Sequence, residues 1–372
     1  MPTPREIGKA HAAVNGEDAS KCTRGLGAAG TACHPWRALQ RIRCMARLTK
    51  FLCVFFLLSA PAAQAACTGT DLIAALPPEA RERVEAEAAA QPYATGNFWR
   101  ATRDGRQVVI AGTYHLADPR HAASLERLRP LIAEASALLV EAGPEEEARL
   151  KEAMARDPSL MISDGPTLPE VLSEEEWQTL SDALRARGVP PVLASKFQPW
   201  YVSMTLALPP CAVEAAKNPD GLDRLAMRAA GDAGVPVRSL EPWNTVFDLF
   251  AELTPEEQLA MIRTALPLED RVEDLAVTLA DRYFAGQSRL VWEYMRIEAH
   301  DMPGYTPEAA DAEFARMEQT LISRRNHGWL PVIEEAAAKG PVVVAVGALH
   351  LPGQEGVLEL LDRAGYRIEP LG

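Results

Sequence analysis

The chain has 372 residues, with 51 Asp and Glu against 38 Lys and Arg, for a net charge of −13. Residues 1–65 carry nine Lys/Arg and three Asp/Glu, so the rest of the chain stands at −19. A surface that acidic repels phosphate backbones and anionic lipid, which excludes nucleic acid and membrane surfaces from the expected partners.

Residues 1–44 are polar and basic, show no period and hold Cys22, Cys33 and Cys44. They read as an extension outside the fold, either ahead of a true start at Met45 or as an unusually long leader. From Met45 the pattern changes. Arg47 and Lys50 precede an apolar run at 51–58, then Ser59, Pro61 and the small-residue series Ala63-Gln64-Ala65. Those are the three parts of a secretory signal peptide, placed at 45–65 with cleavage between Ala65 and Ala66. The run is far shorter than the ~20 residues of a membrane-spanning helix, so the mature chain is expected to have no stable span. The expected location is periplasmic or secreted, and a retained anchor is the alternative. Cys67 and Cys211 survive cleavage and are expected to pair in an oxidising compartment. Lipidation of Cys67 is the competing reading, but Gln64 stands where a lipoprotein signal usually has an aliphatic residue.

The turn formers Asp104-Gly105 lead into an apolar, β-branched strand at 107–113. Asp118-Pro119 reads as a helix start, Asp at the N-cap and Pro in the first turn, with Leu125, Leu128, Leu131 and Ile132 as the buried stripe. A second strand at 137–140 ends in Glu141. The middle of the chain reads as helices, with capping boxes Ser173/Glu176 and Thr254/Glu257 and one strand at 235–240 ending in Glu241. Residues 341–346 are almost wholly apolar, as in a strand covered on both faces. A helix at 357–361, a stop at Gly365 and a strand at 366–371 close the chain. The fold class is α/β: a central mixed sheet flanked by helices, with two approximately repeated strand–Gly-x-x-His–helix–strand units around a helical middle. No linker interrupts it, so residues 66–372 read as one domain.

His115 and His350 stand at equivalent strand ends, each three residues after a glycine, Gly112 and Gly347. Carboxyl ends of strands in open α/β sheets are where ligands bind. A lone strand-end histidine is more often a hydrogen-bonded core residue, but two in matched contexts favour a shared site. Glu141 faces the same rim. Two imidazoles and a carboxylate are a common open site for a divalent metal ion and its bound water. Arg325 falls in an apolar helical stripe with Phe314, Met317, Leu321, Gly328 and Val332, so it needs an acidic partner or a ligand. Asp118 is read as a cap, and His121, His300 and His327 are given no role. Nucleophile elbow, Walker loop, dinucleotide fingerprint, His-Glu-x-x-His and Cys-x-x-Cys are all missing from the sequence.

An ordered set of residues resembles the TraB/GumN family, which includes Tiki-type metalloproteases and is distantly related to erythromycin esterases. The set is Gly112-Thr113-Tyr114-His115, Glu141, Lys196 with Pro199-Trp200, Gly221 with Asp223, Leu240-Glu241, Arg325-Asn326 and Gly347-Ala348-Leu349-His350. It runs from about residue 105 to the C-terminus. The resemblance implies an α/β sheet carrying both Gly-x-x-His motifs and a glutamate at one site, and a divalent-metal-dependent peptidase activity known for part of the family. No C-terminal membrane anchor of the Tiki kind is evident. The expected function is an exported metal-dependent hydrolase of a peptide or amide bond. In it His115, Glu141 and His350 hold the metal, Arg325 stabilises the oxyanion, and Asn326 belongs to the site. The alternative is a binding protein that sequesters a peptide or small ligand without turnover, or a haem or metal carrier.

Overall fold

Strand residues that alternate between two apolar cores set the architecture. The computed structural model describes residues 67–371 apart from 218–219 and 303–305. The extension, signal peptide and cleavage site therefore lie outside the described residues. Six strands, β1 (Phe98–Arg103), β2 (Arg106–Thr113), β3 (Ala137–Val140), β4 (Val237–Ser239), β5 (Val342–Gly347) and β6 (Arg367–Pro370), form one sheet in the order β4-β3-β5-β2-β1-β6. β4, β3, β5 and β2 run parallel, and β1 and β6 pair antiparallel at one end, so the sheet is mixed.

Successive strand residues point to opposite faces. Val108, Ile110, Leu139, Val342, Val344 and Val346 face one core, closed by Trp329, Ile333, Leu358 and Leu361 of the helices Arg324–Ala337 and Val357–Arg363. Val109, Ala111, Leu138, Val140, Val343 and Ala345 face the other, closed by Leu128, Ile132, Leu222, Ala226 and Ala230 of the helices His121–Ala133 and Leu222–Ala233. Each such fully buried Leu, Ile or Val contributes roughly 1.5–3 kcal/mol. β5 lies between β3 and β2 and is buried on both faces because helices cover each side of the sheet there.

A separate apolar cluster around Leu180, Leu184, Val202 and Ile262 holds the helical middle. Two of its helices, Glu174–Ala186 and Pro255–Ala265, start at the expected capping boxes: Ser173 Oγ accepts from Glu176 N at 3.2 Å and Thr254 Oγ1 from Glu257 N at 3.2 Å, and each glutamate accepts in return. Cys67 and Cys211 form a disulfide across 144 residues. It borders a small cleft with Tyr114, Leu116 and Asp118, just behind the loop that carries His115.

Three local expectations differ from the structure. β1 escapes the sequence reading because Arg100, Thr102 and Arg103 break its apolar pattern, yet it is the hairpin partner of β2. The helix read from Asp118-Pro119 begins at His121 instead. The bonds His121 N to Asp118 O (3.1 Å) and Ala122 N to Pro119 O (3.2 Å) make a single tight turn first, and the Asp118 carboxylate takes Arg120 N rather than capping. The long helix carrying Arg325 is broken by a π-helical turn, Gln319–Ser323, between Pro307–Glu318 and Arg324–Ala337. That turn shifts the period, so the stripe from Phe314 to Val332 is not one face.

Candidate functional site

Four neighbouring parallel strands end on one rim, and each delivers a polar residue to it. Glu241 follows β4, Glu141 follows β3, the short helix Ala348–His350 follows β5, and His115 lies two residues past β2. The register pairs Val140 with Ala345 and Thr113 with Gly347, so the ends are level across the sheet. His115, Glu141, Arg325, Gly347 and His350 line a cleft of about 300 Å³.

Both motif glycines serve close approach rather than a turn. A Cβ on Gly112 would stand 3.0 Å from Cα and Cβ of Ala348, so the glycine lets the second motif pack on the first. A Cβ on Gly347 would stand 3.3 Å from Glu141 Oε1, 3.5 Å from His350 Cδ2 and 3.8 Å from His115 Nε2. All three site residues thus surround the bare face of Gly347. Gly221 meets the His115 carbonyl oxygen even more closely and so seats Asp223, in the first turn of its helix, beside the imidazole.

The hydrogen bonds fix the chemical state of each group. Asn326 is buried, and its Nδ2 donates to the carbonyls of His350 (3.2 Å) and Glu355 (2.8 Å). Its Oδ1 is therefore the acceptor at 2.7 Å from His350 Nδ1, which places the proton on Nδ1 and the lone pair on Nε2. Burial keeps His350 neutral and pushes it down to about 3; nearby Glu141 opposes this, and Arg325 and His115 add to it. Burial also resists ionisation of Glu141. His350, Arg325, His115 and the Gly347 N–H (2.7 Å to Oε1) outweigh that resistance and hold its carboxyl at about 2. At neutral pH His350 carries no charge, so Arg325 and the Gly347 N–H keep Glu141 ionised.

Arg325 uses all five of its donors. Nε and Nη2 hold Glu241 at 2.9 and 2.6 Å, Nη2 also holds Glu141 at 2.7 Å, and Nη1 donates to Leu321 O (3.2 Å) and His350 Nε2 (3.1 Å). Its guanidinium lies over Trp329, 4.9 Å from the ring centroid, and Trp329 Nε1 donates to Glu241 at 3.0 Å. The acceptor Leu321 O comes from the π turn, so that irregularity positions the arginine. Arg325 has the acidic partners its apolar surroundings call for, and with every N–H engaged it is a fixed charge rather than a free donor to an oxyanion.

His115 differs from His350. Its side chain is 64% exposed at the cleft mouth, with Nδ1 3.4 Å from Asp223 Oδ1, a long contact that leaves that buried oxygen without any aligned hydrogen bond. The carboxylate beside Nδ1 raises the His115 pKa against the partial desolvation of its place in the cleft, with Glu141 adding to the rise and Arg325 opposing it. Among the described residues Nε2 has no hydrogen-bond partner, and it borders the bare face of Gly347.

The expected metal set of His115, Glu141 and His350 does not fit an ion in this arrangement. Both Glu141 oxygens and both His350 nitrogens already have partners, and of this set only His115 Nε2 has none among the described residues. Among the described residues no group of three or more His, Cys, Asp and Glu side chains is disposed to hold a metal. Two other expectations shift as well. Asn326 sits behind His350 and positions it without lining the cleft. Lys196 lies outside the cleft, donating from Nζ to Gly165 O at 2.8 Å and so closing a loop of the helical middle. Of the residues given no role, His121 sits behind Tyr114 among Tyr283 and Phe284, with Nε2 on Leu116 O.

The cleft's opposite wall is apolar and was not read from the sequence. Leu279 and Tyr283 of Val272–Phe284, Val291, Trp292 and Met295 of Ser288–Glu298, and Ile322 of the π turn form it. Leu279 and Met295 remain 42% and 39% exposed. In sequence these positions look like ordinary helix-packing residues, and the exposure of two large apolar side chains in one cleft is visible only after folding.

Known proteins match the same span. The TraB/PrgY/gumN family model covers residues 97–370. Uncharacterized protein YbaP of Escherichia coli (strain K12) is 24% identical over 257 residues, 69% of this chain and 88% of that protein. Uncharacterized protein YbaP of Shigella flexneri is 24% identical over 253 residues, 68% of this chain and 86% of that protein. The family match takes in every residue of the rim, from His115 to His350, and the chain belongs to the TraB/PrgY/gumN family.

Proposed function

We propose that the cleft is the active site of a hydrolase acting on a peptide or amide bond. One observation carries the reading: the Asp223–His115 pair presents an unbonded imidazole Nε2 to a cleft with a fixed charge pair on one side and an apolar wall on the other. His115 Nε2 takes a proton from the attacking water and passes it to the leaving amine. Asp223, 3.4 Å from Nδ1, favours a proton there and stabilises the imidazolium as it forms. Such a base supplies about 10²–10⁴-fold. Glu141, Arg325 and Glu241 together carry −1, so that side of the cleft suits the amine as it gains positive charge and disfavours an oxyanion. The carbonyl oxygen belongs instead on the other side of the cleft, where Ser288 supplies a hydroxyl. The apolar wall receives a substrate's apolar side chain. No step runs through a divalent ion.

The same proposal takes the protein as exported, periplasmic or secreted, with residues 66–372 as one domain behind a signal peptide. The Cys67–Cys211 disulfide supports an oxidising compartment, and the compact unit at 63–372 supports the domain. A second reading, binding of a peptide or small ligand without turnover, is favoured by the mutual saturation of Glu141, Arg325, His350 and Asn326. Peptide-library digestion read by mass spectrometry separates the two. The exported protein is expected to release cleaved products, and His115→Ala to lose at least 100-fold. Retained but uncleaved peptides would leave the binding reading; neither cleavage nor retention would end both.

A further inference from the structure

We infer that Arg325 holds the cation position of this site and that the protein works without a divalent metal. The inference concerns the same cleft but does not depend on turnover. Glu141 Oε2, Glu241 Oε1 and His350 Nε2 face one spot at the strand ends, and two carboxylate oxygens with one imidazole lone pair are donor types that suit a divalent ion, although as placed they are not grouped to hold one. The Asn326 bond to Nδ1 ensures that the His350 lone pair is on Nε2 and faces that point. What occupies it is the Arg325 guanidinium, with Nη2 2.7 Å from Glu141 and 2.6 Å from Glu241 and Nη1 3.1 Å from His350.

An ion entering there would meet a fixed positive charge at contact distance. Moving the arginine aside would strip it of five hydrogen bonds and of its stacking on Trp329. The guanidinium is also anchored at its base, because the π turn presents Leu321 O to Nη1. His115 offers no substitute site: its Nδ1 faces Asp223, which leaves one open nitrogen, and a single ligand does not hold an ion. The arginine thus does structurally what a metal does in a metallohydrolase, gathering side chains from three strand ends and one helix around one positive charge.

Isothermal titration of the exported, chelator-stripped protein with Zn²⁺ and with Mn²⁺ tests this. Wild type is expected to show no saturable site, and its melting temperature to be unchanged by chelator. Arg325→Ala frees the three donors and is expected to bind at least tenfold more tightly than wild type. That gain should vanish in Arg325→Ala/Glu241→Gln and in Arg325→Ala/His350→Gln. Stoichiometric binding by wild type that weakens tenfold or more in Glu141→Gln would overturn the inference. So would an Arg325→Ala protein, folded by circular dichroism, that binds no better than wild type. If Arg325→Ala does not fold, the wild-type and Glu141→Gln titrations decide alone. Peptide cleavage is not read in any arm, so failure here and failure of the hydrolase reading are separate results.

Discussion

Replacing Arg325 by Met keeps side-chain volume and removes the charge that two carboxylates share. Glu141 and Glu241 are only 21% and 13% exposed, and the Arg325 side chain 16%. Removing one partner of a buried pair costs about 3–5 kcal/mol, because the remaining charge stays buried and uncompensated. Here Glu141 keeps the Gly347 N–H and Glu241 keeps Trp329 Nε1, so the low end, about 3 kcal/mol, applies. For a domain of this size that corresponds to a fall in melting temperature of roughly 5 °C. The loss must also depend on pH. In wild type the Glu141 carboxyl is held near 2 against a usual 4.5, so its contribution is present above 4.5 and lost as pH falls toward 2. Without Arg325 the effect of burial gains ground and the carboxyl rises. The variant then takes up a proton more readily than wild type, and its deficit shrinks as pH drops from 7 to 5. Urea denaturation of both proteins at the two pH values measures this. Adding Glu241→Gln to Arg325→Met should restore about 1–2 kcal/mol by removing one stranded charge. A variant as stable as wild type, or a deficit equal at both pH values with no rescue by Glu241→Gln, would refute the reasoning.

Three further outcomes are expected. Asp223→Asn should lower the His115 pKa, since the carboxylate beside Nδ1 is the main cause of its rise; histidine ring proton NMR then shows the titration moving to lower pH, and an unmoved curve would dissociate the pair. In stability terms, the charged pair contributes below the ordinary histidine value and is lost as pH rises through the raised one. Gly347→Ala should depress cleavage or ligand binding tenfold or more while shifting the melting temperature only slightly, because its methyl group meets Glu141 and His350 side chains rather than backbone. Reducing the Cys67–Cys211 disulfide, which closes a 144-residue loop, should cost about 2–5 kcal/mol in urea denaturation, and identical midpoints with and without reductant would count against that link as a stabiliser.

Local pattern alone determined much of this protein. The apolar β-branched runs gave β2, β3 and β5, because a strand buried on both faces has to be apolar at every position. The strand-end positions of His115, Glu141 and His350 followed from where those runs stop, and the two capping boxes marked real helix starts. Cys67 and Cys211, the two cysteines among the described residues, form the expected pair. β1 was lost to its arginines, and the helix at Asp118 was placed two or three residues early, since one tight turn and the first turn of a helix look alike in sequence.

Only the tertiary structure decided which site groups are free. Arg325 meets Glu141 and Glu241 across 184 and 84 residues, and His350 meets Asn326 across 24. Spacing along the chain does not reveal that five donors find five acceptors, yet that count turns an expected oxyanion donor into a fixed charge and closes the expected metal set. The π turn before Arg325 and the apolar wall from the 272–298 helices are likewise settled by packing. Sequence periodicity reports which side of an element is apolar. Whether that side meets a core or a cleft depends on what the rest of the chain places opposite it.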